Sequence, residues 1–297
     1  MLVDWKRLRT WRWHNSEKRA VEIHIPCSTV MLFTRAAMLC LLILVTVLMG
    51  LRHASAAPVA VRFIEGVTHG FLVLRNVDGE LLASGDLLQF HRGGQVESRM
   101  VFRFKDGSLY DETVVFTQER VFTMQSYRLV HRGPAFTEDT EISLERASGK
   151  YRVNTKDHKN GRGQQLNGTL DLPPDVYNGM VITVAKNLPK GASETVHTVA
   201  FTPEPRLIEL EFTPAGEQKV LIGELGKTAT HYVLKPRLGI WLKLFATLLG
   251  RMPPDSHAWI ISDELPAFAR FEGQLVTNGP VWRIETTRPR WPDEPKH

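Results

Sequence analysis

The chain has 297 residues, of which 43% are hydrophobic and 23% are charged, a composition typical of globular proteins that excludes both a disordered chain and a polytopic membrane protein. Its formal net charge of +5 lies in the first 56 residues, which contain eight basic and three acidic residues. The remainder balances 29 basic residues against 29 acidic ones, so it has no overall field that attracts a polyanion, and nucleic acid is excluded as a partner.

Residues 31–57 have the three parts of a secretory signal peptide. One basic residue precedes an apolar run over residues 36–51, and the small-residue sequence Ala-Ser-Ala then ends at Ala56. We therefore predict cleavage between Ala56 and Ala57, with export to the periplasm or cell envelope. The alternative is a membrane anchor, because residues 31–51 form a stretch of 21 residues, long enough to cross a bilayer.

The remaining boundaries follow from composition. Residues 1–30 form a basic and aromatic extension, which we interpret as lying upstream of the true start, with contact to a membrane surface as the alternative. Both cysteines, Cys27 and Cys40, precede the cleavage point, so the exported part has no disulfide and no thiol for zinc. We predict one β domain over residues 58–292 and a disordered tail over residues 293–297.

Beyond the leader, apolar and polar residues alternate with the period of a β-strand. In Val96–Phe104 the even positions are apolar or small and most odd positions are charged, which is typical of a strand with one face in a core and one in water. The Asp106-Gly107 dipeptide that follows predicts a tight hairpin. The further candidate strands are 70–75, 87–91, 109–116, 120–130, 140–145, 150–156, 164–170, 195–201, 207–212, 219–222, 228–234, 257–261, 267–271 and 281–285.

Short strands at this spacing, joined by turns, predict a mainly β fold. The expected architecture is an antiparallel meander that closes into a barrel or folds into a clam-like sheet. Two segments have helical periodicity instead: residues 175–188, which follow Pro173-Pro174, and the nearly all-apolar segment 238–249. The second segment either packs against the sheet, contacts a membrane surface or lines the entrance to a hydrophobic ligand site.

Candidate site residues come from these two segments and from one late strand. Tyr177 and Asn178 could present polar groups to a cavity, and Trp241 and Trp259 are candidates for an apolar wall. Each of the four also has a structural alternative: Tyr177 and Asn178 as part of a well-formed corner, and the two tryptophans as core residues. The sequence predicts no metal site, no cofactor and no catalytic residue, because it lacks metal-ligand spacings, phosphate-binding glycine loops and a nucleophile elbow.

The predicted closing strands lie within His257–Pro266, Ala267–Glu272 and Val281–Glu285. This arrangement resembles the end of an uncharacterised family of exported bacterial β proteins that carry a domain of unknown function. The resemblance implies a lipocalin-like or clam-shaped sheet and an exported location, and it implies no activity.

These observations lead to three functional hypotheses. The first is an exported, non-enzymatic binding protein for an apolar or amphipathic molecule or for an envelope partner, with a hydrophobic small molecule or a membrane surface as the partner. The second is an exported hydrolase whose site assembles only in three dimensions. The third is a membrane-anchored structural or assembly factor.

Overall fold

The structure, a computed structural model, describes residues 57–201, 204–223, 225–237 and 254–288, which belong to one compact unit. Within these ranges the chain forms fourteen strands and one helix. The strands are β1 Thr68–Arg75, β2 Leu81–Arg92, β3 Gln95–Phe104, β4 Leu109–Gln118, β5 Phe122–Arg132, β6 Glu138–Glu145, β7 Lys150–Asp157, β8 Gly163–Thr169, β9 Glu194–Ala200, β10 Arg206–Ile222, β11 Leu225–Arg237, β12 Ser256–Ile261, β13 Ala267–Gln274 and β14 Val281–Thr287, and the helix is α1 Val181–Asn187.

All fourteen strands form one antiparallel sheet with the order β8-β7-β6-β5-β4-β3-β2-β1-β14-β13-β12-β11-β10-β9. The meander begins in the middle of the sheet at β1 and runs outward to the edge at β8. It then crosses to the opposite edge at β9 and returns to the middle, where β14 pairs with β1. The predicted antiparallel meander is confirmed, and the sheet is not closed into a barrel, which leaves the clam-like alternative.

Strand register places one set of side chains in a common core. On β3, Val96, Phe102 and Phe104 are buried, and their cross-strand partners on β4 include Phe116 and Tyr110, also buried. The buried face of β3 is therefore the one that the alternation of apolar and polar residues in Val96–Phe104 predicted. The core extends through both halves of the sheet to the strands on the far side of the β1–β14 pair.

The segment that crosses from β8 to β9 supplies the rest of this core. Val176, Tyr177, Met180, Val184 and Leu188 are buried in the same cluster as side chains from both halves of the sheet. The crossing segment therefore lies across the inner face of the sheet, where it covers apolar surface that water would otherwise reach.

The predicted helix over residues 175–188 is shorter in the structure. Val176 forms a parallel β-bridge with His197, and the Tyr177 backbone amide donates to the His197 carbonyl at 2.9 Å. Because this pairing takes up the backbone of the first residues, and Gly179 has a positive φ of 71°, helical geometry begins only at Val181. The predicted helix over residues 238–249 lies outside the described residues.

Two predicted strands, 207–212 and 219–222, are one long strand, β10. Pro214 and Gly216 look like a turn in the sequence, but the structure places them at an irregularity where the register with β11 shifts between Pro214 and Glu217. A β-bulge tolerates proline and a positive φ while pairing continues on both sides. The pairing of β10 with β11 thus continues past Pro214 and Gly216.

We predict that Gly85→Ala destabilises the protein by about 1–3 kcal/mol. A Cβ atom at this position in β2 would collide with the Phe102 ring and the Val101 carbonyl. Gly66→Ala is the matched control, because a Cβ there has no neighbour within 4 Å. Urea unfolding of the two variants measures the difference, and equal midpoints would contradict the packing described for β2.

Candidate functional site

A cavity of about 390 Å³ lies between the inner face of the sheet and α1. Its walls come from β1 to β4 on one side, from β13 and β14 on the other, and from Gly179 and α1. The apolar part of the lining includes Leu87, Met100, Val181, Phe271 and Ile284. A concave, mostly apolar space of this size is typical of small-molecule sites.

One carboxyl group faces this cavity from the middle of β4. Glu112 lies two residues from Tyr110 and from Val114, and all three line the cavity. The Tyr127 hydroxyl, from the neighbouring strand β5, donates a hydrogen bond to Glu112 Oε1 at 3.0 Å. A carboxyl and two tyrosine hydroxyls are thus gathered within an otherwise apolar wall.

The surroundings of Glu112 change its protonation behaviour. Burial raises the pKa of the Glu112 carboxyl, and hydrogen bonding to the hydroxyls of Tyr127 and Tyr110 lowers it by a smaller amount. Burial also raises the pKa of both tyrosines well above the usual range. The tyrosines therefore keep their protons at neutral pH, and Glu112 is the group in this cluster that can titrate.

A buried ion pair holds α1 at the cavity. Lys186 lines the cavity, and its ammonium lies 2.6 Å from Glu65 Oε2, with 16% and 2% of the two side chains exposed. The backbone amide of Glu65 donates to Gln118 Oε1 at 2.7 Å, and its carbonyl accepts from Gln118 Nε2 and from His91 Nε2 at 2.9 Å each. The segment before β1 is thereby fastened to β2, β4 and α1 together.

The last residue of α1 strengthens the same attachment. Asn187 Oδ1 accepts hydrogen bonds from the backbone amides of Arg62 and Phe63 at 2.9 and 2.8 Å, and Asn187 Nδ2 donates to the Thr183 carbonyl at 2.9 Å. Asn187 is 1% exposed. Because a buried amide left without partners is costly, these bonds fix the position of α1 against the segment before β1.

Two residues with exposed apolar side chains directly precede residues of the cavity lining in the sequence. Val67 and Leu265 are 75% and 77% exposed, and each directly precedes a residue of the cavity lining, Thr68 and Pro266.

Tyr177 and Asn178, which the sequence analysis proposed for a site, hydrogen-bond to backbone groups of other segments. The Tyr177 hydroxyl donates to the Phe122 carbonyl at 3.1 Å and accepts from the Val59 amide at 2.8 Å. Asn178 exchanges two hydrogen bonds with the backbone of Val199, at 2.8 and 2.9 Å. Neither side chain lines the cavity, although both hold the turn that brings Gly179 and α1 to it.

Trp259 does not line the cavity either. Trp259 lies in a separate buried cluster with Val220 and Ile261. Its indole N–H donates to Gln218 Oε1 at 2.8 Å, and its ring stacks on His231 with centroids 4.6 Å apart. Trp241 lies outside the described residues, as does Ala56, so cleavage before Ala57 stays a prediction.

Glu112 was missed in the sequence, although a signal for it exists. In β4 the inward positions 110, 112, 114 and 116 are Tyr, Glu, Val and Phe. A glutamate in the apolar register of a strand predicts either a strand edge or a buried functional carboxyl. The sequence alone does not decide between these, because it does not show that a cavity lies opposite.

The described histidines do not gather at one place: His231 hydrogen-bonds to His257 at 2.9 Å, and the others lie elsewhere. Three of them hydrogen-bond to carboxylates at separate places: His69 to Asp86, His158 to Asp139 and His197 to Asp175. Among the described residues no serine or threonine hydroxyl hydrogen-bonds to a histidine, and no group of three or more potential ligands could hold a metal ion. The hydrolase hypothesis therefore gains no support from this part of the chain.

No protein-family model, no curated protein and no solved structure matches this chain. The resemblance of the closing strands to a family of exported β proteins therefore stays a prediction. Within the described ranges, the one helix is too short to cross a membrane.

We predict that Lys186→Met destabilises the protein by about 3 kcal/mol or more, because it leaves the buried Glu65 carboxylate without its partner. Adding Glu65→Gln should recover part of the loss. Lys190→Met is the control, since Lys190 forms an exposed pair with Glu217 and its removal should change the free energy of unfolding little. Urea unfolding measures the free energy of unfolding of each variant. If the losses caused by the Lys186 and Glu65 substitutions simply add in the double variant, the two side chains do not interact and the ion pair is contradicted.

We predict that Tyr177→Phe lowers the free energy of unfolding by about 1–3 kcal/mol, because the Val59 amide and the Phe122 carbonyl each lose a buried partner. Ligand affinity should stay unchanged once the variant is folded, since the hydroxyl does not reach the cavity. Calorimetric unfolding measures the first effect. A variant as stable as the wild type would show that the hydroxyl does not hold this corner.

Proposed function

We propose that this protein binds an apolar or amphipathic small molecule in the cavity between the sheet and α1, without chemical conversion of the ligand. The observation that carries the proposal is the cavity itself, with its mostly apolar lining and the polar cluster of Glu112, Tyr110 and Tyr127 at one wall. Small-molecule sites combine an apolar wall with a few polar groups that orient the ligand, and this arrangement has both.

The surroundings of the cavity support a hydrophobic ligand. The exposed side chains of Val67 and Leu265, next to its lining, would keep an alkyl or aromatic group partly out of water as it enters. Contacts with Leu87, Met100 and Phe271 would then replace those with water. Burial of apolar surface contributes about 25 cal/mol per Å² removed from water.

The proposed location is the periplasm or cell envelope, and its basis is the signal-like segment over residues 31–57. In that compartment a carrier could shield a hydrophobic molecule from water. Whether residues 31–57 are removed or stay as an anchor is answered by intact-mass and N-terminal analysis of the exported protein.

We predict that the wild type binds N-phenyl-1-naphthylamine, an uncharged fluorescent probe, and that Met100→Trp reduces the affinity about tenfold or more, because a larger side chain fills the cavity and removes contact area. Fluorescence titration measures both affinities.

Arg152→Trp is the control for this experiment, because Arg152 is exposed on β7 and does not line the cavity. This variant should bind the probe as the wild type does. If Met100→Trp folds and binds with wild-type affinity, the probe lies elsewhere and the proposed site is wrong.

A further inference from the structure

We propose that the cavity recognises an amphipathic cation, a molecule with an alkyl or similar apolar body and a protonated amine that pairs with the Glu112 carboxylate. The inference rests on the proposed binding function and specifies its ligand class. It follows from the charges that face the cavity.

The lining contains two other side chains that can carry charge, and both have partners. Lys186 pairs with Glu65 at 2.6 Å, and His69 pairs with Asp86 at 2.8 Å. Glu112, by contrast, belongs to no ion pair in the described part of the chain, where its hydrogen bond from Tyr127 supplies a neutral donor. Once Glu112 has lost its proton, the unpaired charge that a ligand meets in this cavity is therefore negative.

Because the surroundings of Glu112 are largely apolar, its charge should discriminate strongly between cationic and anionic ligands. A carboxylate removed from water is poorly stabilised unless a cation or several donors approach it. A ligand ammonium would supply both a positive charge and N–H donors, and charge-assisted hydrogen bonds of this kind are roughly twice as strong as neutral ones. An anionic ligand would instead meet a like charge in a medium that screens it weakly.

The position of Glu112 also fits a ligand with two chemically distinct parts. Its neighbours across the sheet are Met100 on β3 and Leu129 on β5, so apolar surface surrounds the carboxyl. Leu87 and Phe271 lie elsewhere in the same cavity lining and can contact an apolar chain. The polar head and the apolar body of the ligand would thus be bound by different parts of one cavity.

The pH dependence of binding has a defined sign. Titratable groups in the cavity wall are Glu112 and Tyr110 of β4, His69 of β1 and Lys186 of α1, and Tyr127 of β5 contacts the carboxyl. Loss of the Glu112 proton creates the charge that the ammonium needs, so binding of a cation should strengthen as the pH rises through the pKa of this carboxyl. A primary amine keeps its own proton up to a pH of about 10.

The test compares three probes of equal chain length: octylamine, octan-1-ol and octanoate. Isothermal titration calorimetry with the wild type should show octylamine binding about tenfold or more tightly than octan-1-ol, with octanoate weakest. Glu112→Gln should remove the preference for octylamine, so that octylamine and octan-1-ol bind this variant with affinities within about threefold of each other. Glu145→Gln, at an exposed position of β6, is the matched control and should behave as the wild type.

The outcomes separate the two proposals. If octan-1-ol binds the wild type as tightly as octylamine, or if folded Glu112→Gln keeps the preference for the amine, the cation inference fails and the cavity function survives. If none of the three probes binds the wild type, both fail. Octylamine titrations of the wild type over a range of pH need no variant. The affinity should rise as the pH rises through the pKa of the Glu112 carboxyl, and an affinity that does not change with pH would overturn the inference even if Glu112→Gln fails to fold.

Discussion

The constraint on which the structure depends is the crossing from one edge of the sheet to the other. Because the meander starts in the middle and reaches the edge at β8, the chain has to span the sheet before it can begin β9. Tyr177 fastens the crossing segment to Val59 and Phe122 on one side, and the bridge of Val176 to His197 fastens it on the other. The segment thereby covers the inner face, and the cavity is the space that it leaves open.

This geometry explains why a carboxyl can remain in an apolar wall. The ion pair of Lys186 with Glu65 and the hydrogen bonds of Asn187 fix α1 against the segment before β1, and both α1 and Glu112 line the cavity. Tyr127 and Tyr110 stabilise the carboxyl by hydrogen bonding, while burial raises its pKa. The charge of this carboxyl is thus set by its surroundings.

The sequence predicted the fold class because alternation in segments such as Val96–Phe104 is a local signal that tertiary contacts reinforce. It misplaced features whose conformation depends on partners distant in sequence. Pro214 does not end the strand, because β10 pairs with β11 on both sides of it. The residues just after Asp175 are not helical, because Val176 pairs with His197 and Gly179 has a positive φ. Glu112 lay within a correctly predicted strand, but its importance depends on the helix across the cavity, which no local pattern shows.

The central claim, that an amphipathic molecule lies between α1 and the inner face of the sheet, is tested most directly by a crystal structure of the protein with octylamine. The account predicts an alkyl chain in contact with Leu87, Met100 and Phe271, with the nitrogen within hydrogen-bond distance of a Glu112 oxygen, about 2.7–2.9 Å. A cavity filled by the protein's own side chains, with octylamine bound on the outer face or absent, would contradict it.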